Sequence, residues 1–424
     1  VSNSREIVAA PAIQLRAALT RIGSVVTDQG INPGLAGRIR LTTQPGLDRS
    51  LSKVIVESVD IEKTISCEVP GAETEVKGSW VLPFRPLLAA ATVASASGRE
   101  DAILQLSETR SRSRQVHITS QHVQPRIDST LHVGTAIWPQ YLARWGDAAH
   151  VADAPTLAAA IKQVLWAARR TAGAGEATIG LMPEPAREGA IGSGSENTYV
   201  SAVAIGSFAA AYSRFHLQSD PRKFPALVIS PQAASLVADH VAAAESAELP
   251  IWTAINFAQF RVPSPRSGNP EITVRRLERP KPRFLPTVPR HPAARVDTAT
   301  LKRGLAYLSS YLDFSNPDYS LLTLEITGNR VTFSASNPAT GTCEFDLSAE
   351  RGIISGDLEP VRLQIDPREV AAAVKSYHGE SIAIVAAKDP RHHLLISGNN
   401  VNYYFGVSYR ISKPPKRDYS QGVV

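Results

Sequence analysis

Three stretches of the chain space their apolar residues three and four apart, and each predicts an amphipathic helix. They are PAIQLRAALTRIGSVV from Pro11, PTLAAAIKQVLWAARR from Pro155 and TLKRGLAYLSSYL from Thr300. Their apolar stripes begin at Leu15, Leu157 and Leu301, at intervals of 142 (157 − 15) and 144 (301 − 157). A second set follows the same rhythm, each member a short apolar strand running into a proline at a helix start: SWVLPFRPLLAAA, LVISPQAASLVADHV and RLQIDPREVAAAV. Pro83, Pro231 and Pro367 are spaced by 148 and 136. Proline is tolerated in the first helical turn because its missing N–H has no partner to lose, and Ser230 or Asp366 can cap just before it. Two helix types in the same order, three times over, read as an internal repeat.

Between the helices the pattern changes to strict alternation. In SLLTLEITGNRVTFSAS, Leu322, Leu324 and Ile326 meet Val331, Phe333 and Ala335 across a Gly328-Asn329 turn, which predicts a hairpin of an antiparallel sheet. Cys67 and Cys343 fall at matching places in the first and third units, 276 residues apart (343 − 67), and are expected as small core residues in different domains. Each unit therefore holds two helices on antiparallel sheet, an α+β arrangement with three pseudo-repeated domains. The expected boundaries are residues 1–137, a linker at 138–152 containing most of AIWPQYLARWGDAAH, residues 153–291, residues 292–411 and a tail at 412–424. The proline-rich RPKPRFLPTVPRHPAAR marks the second junction.

Composition narrows the function. With 424 residues, 43% apolar and 20% charged, the chain is long enough for several cores. No apolar run approaches the roughly 18 residues of a membrane span, and the first residues lack a basic leader followed by an apolar block, so the expected location is cytoplasmic. Two cysteines support neither a disulfide framework nor a zinc site. A net charge of +6 fits a polyanionic partner.

The helix faces place that charge. Leu15, Leu19, Ile22 and Val26 form one stripe of the first helix, with Arg16 and Arg21 on the other side. In the middle unit Leu157, Ile161, Leu165 and Ala168 form the stripe and Lys162, Arg169 and Arg170 lie outside it. In the third unit Leu301, Leu305, Leu308 and Leu312 face inward and Lys302 with Arg303 away, while Val370, Val374 and Tyr377 oppose Arg368 and Lys375. Besides the capping Asp366, Asp239 and Glu369 are the acids within the six segments, and the second helix of the middle unit offers only His240. Basic faces without amide or aromatic reading heads suit phosphate contact, which is non-specific, salt-sensitive and compatible with sliding.

These residues resemble the bacterial sliding clamp, the β subunit of DNA polymerase III, over about residues 5 to 411. The segments carrying the resemblance are SASNPATGTCEFDL, VRLQIDPREVAAAVKSYHGESIAIVA, RRLERPKPRFLPTVP and NYYFGVSYRI. The resemblance implies the DNA-clamp fold, three similar domains in a crescent, and two crescents closed head to tail into a homodimer ring lined by helices. It also implies a processivity role on double-stranded DNA, with DNA polymerase and the clamp loader bound through short peptide motifs. The basic residues above would then face the duplex. The partner pocket would be walled by Phe405, Val407, Ser408, Tyr409, Arg410 and Ile411, with Pro282 and Val288 on its proline-rich side. Departures include SENTYVSA, Ser195 to Ala202, where the family usually carries a Gly-His-Arg-Leu string, the added tail SKPPKRDYSQGVV and the positive net charge. They point to a divergent, secondary or mobile-element clamp.

An enzyme is the rival class, but the chain carries no P-loop, nucleophile elbow or metal-spaced His or Cys cluster, so neither catalysis nor a cofactor is expected. His392-His393 beside Asp389 reads as a hairpin end, since adjacent strand residues point to opposite faces. A second alternative keeps the fold and the peptide pocket as a protein-binding scaffold that does not encircle DNA.

Overall fold

The structure is a computed structural model describing residues 4–26, 34–46, 52–96, 98–109, 114–123, 126–138, 150–168, 177–183, 199–205, 209–264, 268–278, 294–316, 320–327, 330–347, 361–385, 394–398 and 401–405. Its elements follow one order three times: strand, helix, four strands, helix, three strands. The first series is β1 (Ser4–Pro11), α1 (Ala12–Ile22), β2 (Arg38–Gln44), β3 (Lys53–Val59), β4 (Lys63–Glu68), β5 (Gly78–Pro83), α2 (Phe84–Ser95), β6 (Ile103–Thr109), β7 (Gln115–Gln121) and β8 (Asp128–His132). The second is β9 (His150–Asp153), α3 (Ala154–Val164), β10 (Thr178–Pro183), β11 (Tyr199–Ile205), β12 (Ala209–His216), β13 (Leu227–Ile229), α4 (Pro231–Val241), β14 (Glu248–Thr253), β15 (Phe257–Arg261) and β16 (Glu271–Arg275). The third is β17 (Ala294–Asp297), α5 (Thr298–Ser309), β18 (Leu322–Thr327), β19 (Arg330–Asn337), β20 (Gly341–Leu347), β21 (Val361–Ile365), α6 (Pro367–Ser376), β22 (Ser381–Val385), β23 (Leu394–Gly398) and β24 (Val401–Phe405).

Two compact units divide the chain. One comprises Val1–Ala159, Met182–Val200 and Phe215–Arg279. It holds a four-stranded sheet, β1-β6-β7-β8, and an eight-stranded sheet, β5-β2-β3-β4-β16-β15-β14-β9. The eight-stranded sheet is two four-stranded halves, from the first and second series, joined where β4 pairs antiparallel with β16. The other unit comprises Ala160–Leu181, Ser201–Arg214 and Pro280–Val424. A second eight-stranded sheet, in the order β13-β10-β11-β12-β24-β23-β22-β17, repeats the device with β12 pairing antiparallel with β24, and β20-β19-β18-β21 is a further four-stranded sheet.

The expected packing is present in its main lines. Leu15, Leu19 and Ile22 on α1, Leu157 and Ile161 on α3, and Leu301, Leu305 and Leu308 on α5 are all buried. Both cysteines are free and buried, and burial pushes the Cys67 thiol up to about 12, so it packs as a small apolar residue. Ile326 pairs with Val331 and Leu324 with Phe333, the expected hairpin register, while the Gly328-Asn329 turn lies outside the described residues. Ser230 and Asp366 cap as expected, accepting from Ala233 N–H at 3.2 Å and Arg368 N–H at 2.8 Å.

Three details differ from the periodicity. Pro83 occupies the cap position before α2, whereas Pro231 and Pro367 are the first residues of their helices, so the spacing of equivalent positions is 147 (231 − 84) rather than 148. Leu312 lies beyond the end of α5 and is half-buried. The α3 helix tightens into a 3-10 turn at Leu165–Ala167 instead of running on. Trp138 of the expected linker is buried: its Nε1–H donates to Glu57 Oε1 at 2.9 Å, and Arg40 Nε donates to Oε2 of that buried carboxylate at 3.1 Å. The charge on Glu57 is thus matched on both oxygens, as a buried carboxylate requires.

Candidate nucleic-acid interface

Among the described residues the candidate phosphate contacts lie on α1, α3, α5 and α6, and their surroundings divide them, together with His240 of α4, into two groups. Arg303 on α5 is exposed, its Nη2–H donating to Thr300 Oγ1 one turn back at 3.3 Å. Lys375 is exposed in the last turn of α6, Lys162 is exposed in the last turn of α3, and exposed Arg16 reaches Ser95 Oγ on α2 at 3.0 Å. These four keep their charge at the surface, within reach of a phosphate.

The second group is committed within the protein. Lys302 is half-buried, and its Nζ donates to the carbonyl of Tyr377 at 3.0 Å, satisfying an orphan carbonyl at the end of α6. Arg368 forms an ion pair with Asp366 at 2.7 Å, with its guanidinium 5.3 Å from the Phe314 ring centroid. The Asp366 hydrogen bond raises the Arg368 pKa further, and the pair presents little net charge to a polyanion. Arg21 is half-buried; its Nη2–H donates to Ser264 Oγ at 3.4 Å, and its Nη1 is buried without a hydrogen-bond partner. His240 is half-buried as well, its Nε2 3.5 Å from Ser24 Oγ. Burial, then the charge of Arg21, push the His240 pKa down to about 4.

Arg169 and Arg170 lie outside the described residues, as do Pro282, Val288, Val407, Ser408, Tyr409, Arg410 and Ile411 of the expected pocket. Phe405 ends β24, paired by backbone with Ala209 and Leu394. Two residues before it on the same strand is Tyr403, whose hydroxyl lies 3.0 Å from Ser376 Oγ and whose ring stands edge-on to Trp166 at 5.5 Å. His392 and His393 also lie outside the described residues, and among the described ones no group of three or more His, Cys, Asp or Glu could hold a metal ion. No described helix is long and apolar enough to cross a membrane.

Sequence reasoning passed over Arg85, which is exposed on α2, and an aromatic pair at the C-terminal end of α5, Tyr307 within it and Tyr311 just past it. Tyr307 and Tyr311 stack edge-on at 5.5 Å, one and two turns beyond Arg303, and Tyr307 is 53% exposed. The spacing of four from Arg303 to Tyr307 to Tyr311 was the available signal, since residues that far apart share a helix face.

No protein-family model matches the sequence, and no curated protein does. Solved structures do. The DNA polymerase sliding clamp from Caulobacter crescentus superposes with a TM-score of 0.75 at 16% identity, covering 96% of this chain and all of that one. The sliding clamp from Bacillus subtilis gives 0.76 at 13% identity, with 96% and 100% covered. The clamp from Bartonella birtlesii, determined bound to griselimycin, gives 0.73 at 14% identity, again with 96% and 100% covered. The fold is that of the bacterial sliding clamp, an α+β fold of helices and antiparallel sheets.

Proposed function

We propose that the protein is a non-enzymatic sliding clamp: two copies close head to tail around duplex DNA and tether a polymerase and other replication or repair proteins to it. The observation carrying this reading is the pairing of strands. Where the first and second series meet, β4 pairs with β16, and where the second and third meet, β12 pairs with β24. The corresponding strand of the third series is β20, and the corresponding last strand of the first is β8. Each is an end strand of its four-stranded sheet. An end strand with unpaired backbone groups is a template for another chain. Pairing β20 with β8 of a second copy, in both directions, completes the set and stops growth at two.

Three clamp domains at about 1–137, 153–291 and 292–411 supply six helices per copy, and the exposed basic residues Arg16, Lys162, Arg303 and Lys375 face the duplex. Helices that meet phosphates without entering a groove leave no base-specific anchor to stop motion. The partner-peptide groove of this reading is the one the resemblance names, Phe405 to Ile411 with Pro282 and Val288, of which only Phe405 is among the described residues. Tyr409→Ala with Ile411→Ala should weaken binding of a labelled polymerase-derived peptide by on the order of 2 kcal/mol. Unchanged affinity would make that strand structural only.

The deciding experiment is retention on nicked circular DNA before and after linearisation, with native mass measured in parallel. A dimer that stays on circles and runs off free ends supports the ring. A stable monomer, or equal retention on both forms, would favour the scaffold that does not encircle DNA.

A further inference from the structure

The strand ladder at the first internal junction, where β4 meets β16, also fixes what that sheet shows on the face turned away from the helices. On the other face α1 lies against β3 and β4, and α4 against β16. Val56, Ile65, Ile272 and Val274 of these strands are buried in the core, so the residues alternating with them point outward. Directly paired residues share a face, and one outward row runs Val59, Thr64, Thr273, Gln259, Trp252 across β3, β4, β16, β15 and β14. Thr64, Thr273 and Gln259 in its middle are buried and uncharged. In the next row Phe257 is paired with Arg275.

Aromatic side chains stand at both ends of this face. Trp138 lies over β2 and β3, held by Glu57 and with Arg40 5.4 Å from its ring centroid. Trp252 and Phe257, both half-buried, stand over β14 and β15. From β3 to β15 is three strand spacings, about 14 Å, which roughly four residues of extended peptide span. Ile137, next to Trp138, and Ile255, at the β14–β15 turn, are each 87% exposed, the highest values among the described large apolar side chains. The turn is fixed in place, since Arg276 N–H donates to the Asn256 carbonyl at 2.7 Å and Arg276 Nη1 to that of Ala254 at 2.6 Å.

The charges on this face are not equally matched. Exposed Arg261 is paired with Glu271 at 3.7 Å, whereas the guanidinium of exposed Arg275 has no ion pair or hydrogen bond among the described residues. Glu62 meets Arg275 through its backbone carbonyl, 2.7 Å from the Arg275 nitrogen, and not through its carboxylate. An unmatched guanidinium beside aromatic and branched apolar side chains has the composition of a binding hot spot, and the acid it lacks is one that a partner can supply.

We propose that this outer face of the first junction is a second peptide-docking surface, which takes an extended acidic segment of a partner protein. Apolar side chains of the segment rest on Ile255 and Phe257, and a carboxylate pairs with Arg275. The internal repeat supplies the kind of ligand: Arg275 ends β16 as Phe405 ends β24, and the groove of the reading above begins at Phe405. The surface rests on that reading for its ligand and on its own residues for its place. It lies opposite α1 and α4, so a peptide here and DNA on the helix side do not compete.

Titration with a labelled polymerase-derived peptide that carries acidic and apolar side chains should show two sites per chain, the one at Arg275 weakening as salt is added. Arg275→Glu with Ile255→Asp changes exposed side chains only, and circular dichroism checks that the fold survives. It should weaken one site at least about tenfold and leave the other, while Tyr409→Ala with Ile411→Ala does the reverse. A single wild-type site that Tyr409→Ala with Ile411→Ala removes and Arg275→Glu with Ile255→Asp spares would overturn this surface and keep the C-terminal groove. Two sites that both ignore Arg275→Glu with Ile255→Asp would overturn it as well. A single site with the opposite response would support it and sink the C-terminal groove, and no saturable binding would overturn both.

Discussion

The two internal junctions use the same backbone parts and opposite chemistry. In the first, β4 and β16 pair and the surrounding side chains are polar: Arg21 on Ser264, Ser264 Oγ donating to Glu245 at 2.9 Å, Asn269 accepting from Ser264 N–H at 2.9 Å, His240 beside Ser24. Gly268 is fitted there with φ of +77°, its carbonyl accepting from Glu68 N–H at 3.1 Å, and a Cβ would collide with the Glu68 carbonyl oxygen. In the second, β12 and β24 pair around fully buried Tyr403, flanked by Trp166 and Ser376, with Ser213 donating to Gln163 Oε1 at 2.6 Å. The strand ladder fixes which elements meet; the side chains are then free to diverge so long as volume and hydrogen bonds are satisfied. The difference predicts that the first junction answers to pH and the second to lost volume.

The largest effect is expected at the aromatic junction. Tyr403→Ala removes a ring with no solvent exposure and leaves a cavity beside Trp166, at a cost of about 3–5 kcal/mol. Tyr403→Phe keeps the volume, loses the Ser376 hydrogen bond and should cost about 1 kcal/mol. Urea unfolding of both variants checks the ratio, and equal costs would mean that the hydroxyl, not the ring, holds the strand.

The polar junction comes next, through His240. Its folded pKa of about 4 lies below the ordinary 6.5, so the folded state holds the imidazole neutral. Stability from this group is complete above pH 6.5 and is lost as pH falls towards 4, by roughly 3 kcal/mol in all. Arg21 and Asp239 are the charges acting on it, and Arg21 opposes protonation. His240→Gln should flatten the fall in melting temperature between pH 6.5 and 4, whereas Tyr403→Phe should leave that slope unchanged. Parallel slopes in wild type and His240→Gln would place the acid sensitivity elsewhere.

What was legible in the sequence follows the same division. Period and capping are local, so the order of helices, the caps at Ser230 and Asp366 and the burial of both cysteines could be read from the residues. The one-residue offset at Pro83 escaped because proline is tolerated both at the cap and at the first helical position. The junctions escaped for a different reason. Arg16 and Arg21 both lie off the apolar stripe of α1, and only a hydrogen bond to Ser264, 243 residues away, sets Arg21 apart. Lys302 and Arg368 likewise look like open charge until Tyr377 and Asp366 are seen beside them.

That last distinction yields the smallest predicted effect, and it can be measured within one pair of helices. On α5 and α6, Arg303 and Lys375 keep their charges exposed, whereas Lys302 caps a carbonyl and Arg368 is paired with a carboxylate. Each phosphate that a variant can no longer reach should lower the slope of log affinity against log salt by roughly one. Arg303→Ala with Lys375→Ala should therefore reduce the slope by about two. Lys302→Ala with Arg368→Ala should change the slope little and instead cost about 1 kcal/mol of stability, because the carbonyl at the end of α6 is left unsatisfied. Equal slopes for the two double variants would mean that DNA draws Lys302 and Arg368 away from their internal partners, and the division between surface and committed charges would then fail.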